Sequence, residues 1–138
     1  MHVDDISIIS RYVTNPLLIN GHKFDLRIYV AVTSVNPLRL YLYEDGLTRF
    51  ATCKYSTSSG GGAKKAGKFM HLTNFSVNKK NVNFVKSDGP EEDGVGSKWS
   101  LKALRKAFQE QGIDDKAIWR KIEDVCIKTV LSAEPYMF

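Results

Sequence analysis

The sequence has 138 residues, which is enough for one domain with a hydrophobic core or for one lobe of a larger enzyme. Hydrophobic residues make up 43% of the chain and charged residues 25%, as is typical of globular proteins, and no apolar run approaches the roughly 18 residues of a membrane-spanning helix. The two cysteines and three histidines lack metal-binding spacing, which argues against a zinc site and favours reduced thiols in a cytosolic protein.

The net charge of +5 is concentrated in the middle of the chain. Six lysines lie between positions 54 and 80, with no Asp or Glu among them: Lys54, Lys64, Lys65, Lys68, Lys79 and Lys80. Such a segment is typical of proteins that bind an acidic partner, which is a nucleic acid, an anionic lipid or an acidic polypeptide. A solubilising loop has the same composition, so the charge alone leaves both interpretations open.

The first predicted element is a strand over residues 6–13, where β-prone apolar side chains are frequent. Asn15-Pro16 is expected to end this strand, because the residue before proline disfavours the helical region and the ring removes a backbone donor. Asn20-Gly21 is a strong turn signal that leads into the next strand.

Residues 23–32 predict a strand with two different faces, because alternate side chains project to opposite sides. One face is apolar and is expected to be core: Phe24, Leu26, Ile28, Val30 and Val32. The opposite face is polar: Lys23, Asp25, Arg27 and Tyr29. A solvated edge has a similar pattern, but the alternation of cation, anion and cation favours the floor of a site for a phosphorylated, charged ligand.

Asn36-Pro37 is expected to end that strand, and residues 38–43 alternate again between leucine and polar or aromatic side chains. Asp45-Gly46 predicts a two-residue hairpin turn, since both central residues of such a turn need positive φ. This register pairs Leu42 with Arg49 and places Arg49 on the leucine side of the hairpin. A guanidinium there either extends to solvent or meets a carboxylate, and we favour the carboxylate, with a ligand as one candidate source.

Two segments, residues 56–68 and 78–98, are rich in glycine and polar side chains and are predicted to be flexible loops. The pattern GxxxxGK[ST] is absent and no helix pattern follows the three glycines, which argues against a phosphate-binding P-loop. Two flexible segments around the short element at 69–76 are typical of a closable enzyme site. They are equally typical of two ordinary surface loops.

Two helices are predicted at the end of the chain. Ser100 is a plausible N-cap for the first, with Leu101, Leu104 and Phe108 on one face and Gly112 as the stop. Asp114 or Asp115 is expected to cap the second, which fades near 134–135. Its apolar stripe is predicted to be core: Ile118, Trp119, Ile122, Val125, Cys126 and Val130. A chain that stops just after such a helix indicates a fragment.

Three motifs in order resemble the tubulin–tyrosine ligase-like family, and most closely its polyglutamylase members. They are KFDLRIYV at 23–30, YLYEDGLTRFA at 41–51 and HLTNFSVNK at 71–79. The resemblance extends over most of the chain and includes WSLKAL at 99–104 and LSAEP at 131–135. It implies an α+β fold: an ATP-grasp-like antiparallel sheet with C-terminal helices, of which residues 1–138 are the central part, truncated at both ends.

The resemblance also implies roles for individual residues. The positions that match the nucleotide contacts are Ser10, Arg11, Tyr12, Val13, Lys23, Phe24, Asp25, Thr73 and Asn74. Those that match the contacts to the incoming amino acid are Arg49, Phe75, Ser76 and Lys98. Arg27 and Arg49 are the expected catalytic cations, because an acyl-phosphate route needs positive charge near the phosphoryl group and the tetrahedral oxyanion.

The implied activity is ATP-dependent ligation of free glutamate onto tubulin glutamate side chains through an acyl phosphate, with ATP and Mg²⁺ as cofactors. The family's magnesium ligands are expected beyond residue 138, so these residues alone are expected to be inactive. The expected partner is the acidic C-terminal tail of tubulin in microtubules, which implies the cytoplasm and the cytoskeleton, with the cilium or basal body as a candidate place.

Two other functions remain open at this point. One is a non-catalytic microtubule-binding module that uses the basic loops alone, and the other is a family member that ligates glycine or tyrosine. No nucleic-acid or membrane partner is expected. The aromatic side chains are not interleaved with the basic segment as a base-stacking surface requires.

Overall fold

The computed structural model of the protein describes residues 8–57, 64–86 and 93–136. The strands in these ranges are β1 (Leu18–Ile19), β2 (His22–Arg27), β3 (Val30–Val35), β4 (Leu38–Leu42), β5 (Leu47–Phe50) and β6 (Lys98–Ser100). The helices are α1 (Lys64–His71), α2 (Phe75–Asn78), α3 (Leu101–Glu110) and α4 (Asp115–Ala133), followed by a 3-10 turn, Glu134–Tyr136. The predicted α+β class, with antiparallel strands and two C-terminal helices, is confirmed.

The strands form two antiparallel sheets. Four strands lie in the order β1-β2-β5-β6, and β3 pairs with β4 in a separate two-stranded sheet. Asn20 and Gly21 join β1 to β2 with φ angles of 51° and 79°, which is the conformation of a tight hairpin turn, so this predicted turn is confirmed. Asn36-Pro37 separates β3 from β4, also as predicted.

The hydrophobic core lies between one face of the four-stranded sheet and helix α3. Ile19 and Phe50 project from the sheet, Leu104 and Phe108 project from α3, and none of the four is more than 6% exposed. The half-buried side chains around them are Phe24, Leu26, Trp99, Ile113 and Ile118. Since each such buried side chain contributes about 1.5–3 kcal/mol, this contact holds α3 against the sheet.

The single strand predicted over residues 23–32 is wrong, because the chain changes sheet within it. Strand β2 ends at Arg27, and β3 starts at Val30 in the two-stranded sheet. Phe24 and Leu26 contact the core as expected, whereas Val32 is 41% exposed. Alternation predicts a common face only while one strand continues, and here the two halves pair with different neighbours.

The hairpin predicted at Asp45-Gly46 is also wrong. Strand β4 pairs with β3, whereas β5 pairs with β2 and β6. Gly46 is not among the described residues that have positive φ. A Cβ atom at Gly46 would lie 2.3 Å from the Arg27 carbonyl oxygen and 2.9 Å from a Leu101 methyl carbon, so glycine is needed here for a close chain crossing.

The strand predicted over residues 6–13 is not found over 8–13, and residues 6 and 7 lie outside the described ranges. Ile8 and Ile9 are 97% and 87% exposed. A strand needs a neighbour that pairs its N–H and C=O groups, and this segment pairs with no described strand. High β propensity is therefore not sufficient here.

The loop predicted over residues 56–68 contains the start of a helix. Helix α1 begins at Lys64, so the expectation that no helix follows the glycines is wrong, while residues 58–63 lie outside the described ranges. The helix is held by tertiary contacts, because the Cys53 N–H donates to the Phe69 carbonyl oxygen at 3.1 Å. In the second predicted loop, residues 87–92 are not described, and Lys98 begins β6.

The two C-terminal helices are capped as predicted, but they differ in burial. Ser100 Oγ accepts a hydrogen bond from the Ala103 N–H (3.0 Å), and Asp114 caps α4 in the same way. Trp119 in α4 is buried, whereas Val125 is 60% exposed, so the expectation that the whole α4 stripe is core is wrong. An open groove lies between residues 123–127 of α4 and the two-stranded sheet. It is lined by Val30, Leu40, Leu42, Glu123, Cys126 and Ile127.

Replacing Gly46 tests the close chain crossing. Gly46→Ala is expected to lower the free energy of unfolding by about 2 kcal/mol or more, because the new methyl group meets backbone that cannot move independently. Gly67→Ala is the matched control, since nothing lies within 4 Å of the Cβ position at Gly67 in α1. That change is expected to stabilise the protein by about 0.5–1 kcal/mol. Urea unfolding measures both, and equal effects would contradict the crossing.

Candidate functional site

The face of the four-stranded sheet opposite the core carries a row of charged side chains. Asp25 in β2 is the register partner of Arg49 in β5, and Arg49 is the partner of Lys98 in β6. Directly opposed residues of antiparallel strands project to the same face, while Phe24 and Phe50, their neighbours in sequence, project into the core. The predicted charged face is therefore confirmed for β2 and extends across three strands.

Arg49 and Asp25 form a two-pronged ion pair. Arg49 Nε donates to Asp25 Oδ1 at 3.1 Å, and Arg49 Nη2 donates to Asp25 Oδ2. Hydrogen bonding to Asp25 raises the pKa of the Arg49 guanidinium further above its ordinary value, so its charge is permanent. The expected carboxylate is present, but it belongs to the protein, and Arg49 lies on the charged face and not on the leucine side of a hairpin.

This pairing leaves Arg49 with further binding capacity. A guanidinium has five N–H donors in one plane, and Asp25 accepts two of them. The ion pair holds the Arg49 side chain in one orientation. This side chain is 21% exposed, so solvent and ligands still reach it. A second carboxylate could be bound by the remaining donors in the same plane.

Lys23 lies at the other end of this face, beside the segment that precedes the sheet. Its Nζ atom donates to the His71 carbonyl oxygen at 2.8 Å and lies 4.9 Å from the centre of the Tyr12 ring. The Tyr12 hydroxyl is hydrogen-bonded to His71 Nδ1 at 2.7 Å. Tyr55 packs edge-on against His71, and hydrogen bonding to Tyr12 is the main cause that raises the pKa of Tyr55. Two segments with predicted nucleotide contacts thus meet at Lys23.

The side chains around Lys23 form a first cluster, and those around the Phe75 ring form a second cluster at the Lys98 end of the row. Lys98 Nζ lies 4.7 Å and Lys79 Nζ 5.5 Å from the centre of the Phe75 ring, and Phe84 packs edge-on against it. A small cavity beside this ring is lined by Arg49, Phe50, Thr73, Phe75, Phe84, Ser97 and Lys98. An aromatic face between cations, next to a fixed guanidinium, attracts anions, while the cavity itself has room for only about one water molecule.

Comparison with known families shows to which family the chain belongs. The family model described as "Tubulin-tyrosine ligase family" matches residues 1–138. The chain belongs to the tubulin-tyrosine ligase family. The resemblance seen in the three sequence motifs is therefore confirmed, and the antiparallel sheet with C-terminal helices is consistent with part of this family's ATP-grasp-like domain.

Curated members of the tubulin-tyrosine ligase family are about half identical to this chain. Tubulin monoglutamylase TTLL4 of Mus musculus is 53% identical over 130 residues, which cover 94% of this chain and 11% of that protein. Tubulin polyglutamylase TTLL5 of Homo sapiens is 50% identical over 128 residues, or 92% of this chain and 10% of that protein. A probable beta-tubulin polyglutamylase of Tetrahymena thermophila is 42% identical over 98% of this chain and 11% of that protein. The chain thus spans about a tenth of these relatives.

Some residues predicted from the family lie outside the two clusters. Ser10, Arg11 and Val13 are exposed next to Tyr12, and Arg27 is exposed at the end of β2. Ser76 is exposed on α2. Phe24 packs against Phe50 and Phe108 with ring centres 5.7 and 6.1 Å apart, so any contact of Phe24 with a nucleotide would come from its backbone.

Asn78 and Thr52 are two residues of this region to which the sequence interpretation gave no role. Asn78 is 1% exposed, and its side chain contacts both Thr52, just after β5, and the loop at residues 72–74. The motif at 71–79 contains Asn78, but sequence does not tell a buried, fully bonded asparagine from an exposed one. Only the packing of α2 on the end of β5 shows the difference.

The described residues contain neither a metal centre nor a membrane span. Within them, no three His, Cys, Asp or Glu side chains are grouped so that they could hold a metal ion. None of the described helices combines the length and the hydropathy needed to cross a bilayer. The magnesium ligands expected elsewhere in the family domain stay a prediction.

A double-mutant cycle tests the Asp25–Arg49 pair. Asp25→Asn, Arg49→Gln and the double variant are expected to give a coupling energy of about 1–2 kcal/mol, because both prongs are made on a half-buried face. The control pair is Lys128 and Asp124 on α4, which are 71% and 56% exposed and should couple by only about 0.3–0.5 kcal/mol. Chemical denaturation measures both cycles, and a coupling at Asp25–Arg49 no larger than the control would contradict the pairing.

Proposed function

We propose that the protein containing this chain uses ATP to join free glutamate to glutamate side chains of tubulin. The observation that carries the proposal is the row Asp25, Arg49 and Lys98 on one sheet face, with Phe75 at its end. The relatives named tubulin mono- and polyglutamylases support the choice of substrate. Residues 1–138 are proposed to be the central part of the catalytic domain.

We propose that one end of the charged face binds the amino acid and the other end binds ATP. Arg49, held by Asp25, binds the α-carboxylate of the incoming amino acid, and Lys98 and the Phe75 ring confine it. Lys23, at the Tyr12 end, supplies positive charge to the phosphates of ATP. Thr73, which lines the cavity beside Phe75, and Asn74, which follows it in sequence, are proposed to complete the nucleotide contacts.

The chemistry needs an activated carboxylate and a free amine. ATP transfers its terminal phosphoryl group to a tubulin carboxylate, the amine of glutamate attacks that acyl phosphate, and inorganic phosphate leaves as the amide bond forms. Magnesium would neutralise charge on the ATP phosphates. Arg49 and Arg27 are proposed to stabilise the tetrahedral oxyanion that forms between attack and departure.

The basic segment at 54–80 is proposed to bring the tubulin tail to this site. Lys54, Lys68, Lys79 and Lys80 are exposed, and Lys79 lies beside Phe75. An acidic peptide drawn along these side chains would arrive at the cavity that contains Arg49. The proposed setting is the microtubule cytoskeleton of the cytoplasm, including the cilium or basal body.

Replacing Arg49 in the full-length protein tests the proposal. Arg49→Ala is expected to lower glutamate incorporation into tubulin by about 100-fold or more, because it removes the partner of a bound carboxylate, a loss of about 2–5 kcal/mol. Arg39→Ala, an exposed arginine on β4 in the other sheet, is the matched control and should retain activity. Incorporation of labelled glutamate measures both variants, with circular dichroism as the check on folding.

Three outcomes would contradict the proposal in different ways. Full activity of a folded Arg49→Ala protein would remove Arg49 from the site. Incorporation of labelled glycine or tyrosine in preference to glutamate would replace the amino acid. Microtubule binding by a wild-type protein that incorporates no amino acid would favour the non-catalytic binding module.

A further inference from the structure

The side chain of Asn78 is a buried junction between two parts of the proposed site. Its Oδ1 atom accepts hydrogen bonds from the Thr52 N–H at 3.0 Å and from the Thr52 hydroxyl at 2.8 Å. Its Nδ2 atom donates to the carbonyl oxygens of Leu72 at 2.8 Å and Asn74 at 3.1 Å. Three of the four hydrogen bonds reach Thr52 and Leu72, and the fourth returns to Asn74 at the start of α2, so the amide joins the end of β5 to the loop at 72–74.

The chemistry of the partners fixes the orientation of this amide. The Thr52 N–H can only donate, so the atom facing it must be the amide oxygen. The carbonyl groups of Leu72 and Asn74 can only accept, so the atom facing them must be the amide nitrogen. No other uncharged side chain of this size offers two acceptor positions and two donors at this spacing.

The other described hydrogen bonds of the loop at 72–74 are to neighbours in sequence: the Leu72 N–H donates to the Lys68 carbonyl oxygen at 3.0 Å, and the Asn74 carbonyl oxygen accepts from the Val77 N–H at 3.1 Å. Leu72 and Phe75 are each 44% exposed, so apolar burial contributes little on either side of the loop. Helix α2 has only four residues, and the Asn74 side chain makes no capping hydrogen bond to it. A single helical turn is marginal without outside contacts. The buried amide of Asn78 therefore links the loop that carries Thr73 and Asn74 to the end of β5.

The other end of this link is fixed to the charged sheet face. Thr52 follows β5 and is three residues beyond Arg49. The Ala51 N–H donates to the Lys23 carbonyl oxygen at 2.9 Å, which continues the β2–β5 pairing up to Thr52. The position of Thr73 and Asn74 relative to Lys23 and Arg49 thus depends on the Asn78 side chain on one side. On the other side it depends on the bonds that hold the end of α1, from Lys23 Nζ to the His71 carbonyl oxygen and from the Cys53 N–H to the Phe69 carbonyl oxygen.

We propose that Asn78 is a positioning residue that sets the affinity for ATP by holding Thr73 and Asn74 in place against the sheet. This inference rests on the proposed nucleotide-dependent ligase function. In this proposal Asn78 does not contact a substrate, and it affects ATP binding only through the loop at 72–74. The amino acid is bound mainly by Arg49 and Lys98 on the strands, so its affinity should depend less on Asn78.

The test uses the full-length protein with Asn78→Ala and two matched controls. Asn81→Ala removes a neighbouring amide that also donates to Thr52 Oγ1, at 2.9 Å, without a described bond to the loop at 72–74. Thr52→Val removes the hydroxyl bond to Asn78 but leaves the Thr52 N–H and both loop carbonyls in place. Asn81→Ala perturbs the same buried network and reports a purely structural loss, whereas Thr52→Val also removes one of the four hydrogen bonds of Asn78.

For Asn78→Ala, the KM for ATP and the ATP dissociation constant from calorimetry are expected to rise about tenfold, as for the loss of one or two net hydrogen bonds. The kcat and the KM for glutamate should change by less than about threefold. Asn81→Ala and Thr52→Val should leave the KM for ATP within about twofold of wild type, even where their unfolding midpoints fall. Asn78→Ser, which retains a hydroxyl but cannot span the gap, should behave like Asn78→Ala.

The remaining outcomes each overturn the inference. A folded Asn78→Ala protein with unchanged ATP affinity, or an Asn81→Ala control with the same rise as Asn78→Ala, would show that the loop is positioned by other contacts. Failure of both Asn78 variants to fold would make Asn78 a structural residue only. If either of these results is found while the wild-type protein still ligates glutamate, only the inference about Asn78 fails. If the wild-type protein binds no ATP, the inference and the proposed function both fail.

Discussion

The alternation of side chains along β2, β5 and β6 is the constraint on which the site depends. Because Phe24 and Phe50 must enter the core above α3, their neighbours Asp25 and Arg49 must project to the opposite face. A shift of register by one residue would bury the charges and expose the aromatic rings. The same burial that stabilises the sheet therefore fixes the place of the charged row.

Within that row, Asp25 fixes the orientation of the Arg49 guanidinium and leaves other N–H donors of that group able to bind a ligand. Exposed ion pairs contribute little to stability, so this half-buried pair is better understood as a device for orientation. Asp25 uses two donors of Arg49 and leaves others for a ligand carboxylate. The two roles that the family resemblance implied for Asp25 and Arg49 are thus physically linked, since a change at either residue alters the other.

The part of the site outside the sheet is held by polar contacts. The loop at 72–74 and the short helix α2 bury little apolar surface, and the amide of Asn78 joins them to Thr52. Lys23 in turn bonds the His71 carbonyl oxygen at the end of α1. Hydrogen bonds are directional and specify position more sharply than apolar contact does. A rigid hydrophobic sheet therefore carries segments that are positioned by hydrogen bonds.

The sequence alone determined the family, the α+β class, the charged face of β2 and the two capped C-terminal helices, because these depend on local periodicity and on matched motifs. It did not determine where the chain changes sheet after Arg27, nor that Asp45-Gly46 is a crossing and not a hairpin. Nor did it show that the carboxylate opposite Arg49 is Asp25, or that Asn78 is buried. Each of these depends on contacts between residues more than 20 positions apart or on the packing of whole elements, which local patterns do not encode. Only the tertiary structure decides them, since strand partners are chosen by the free energy of the whole fold.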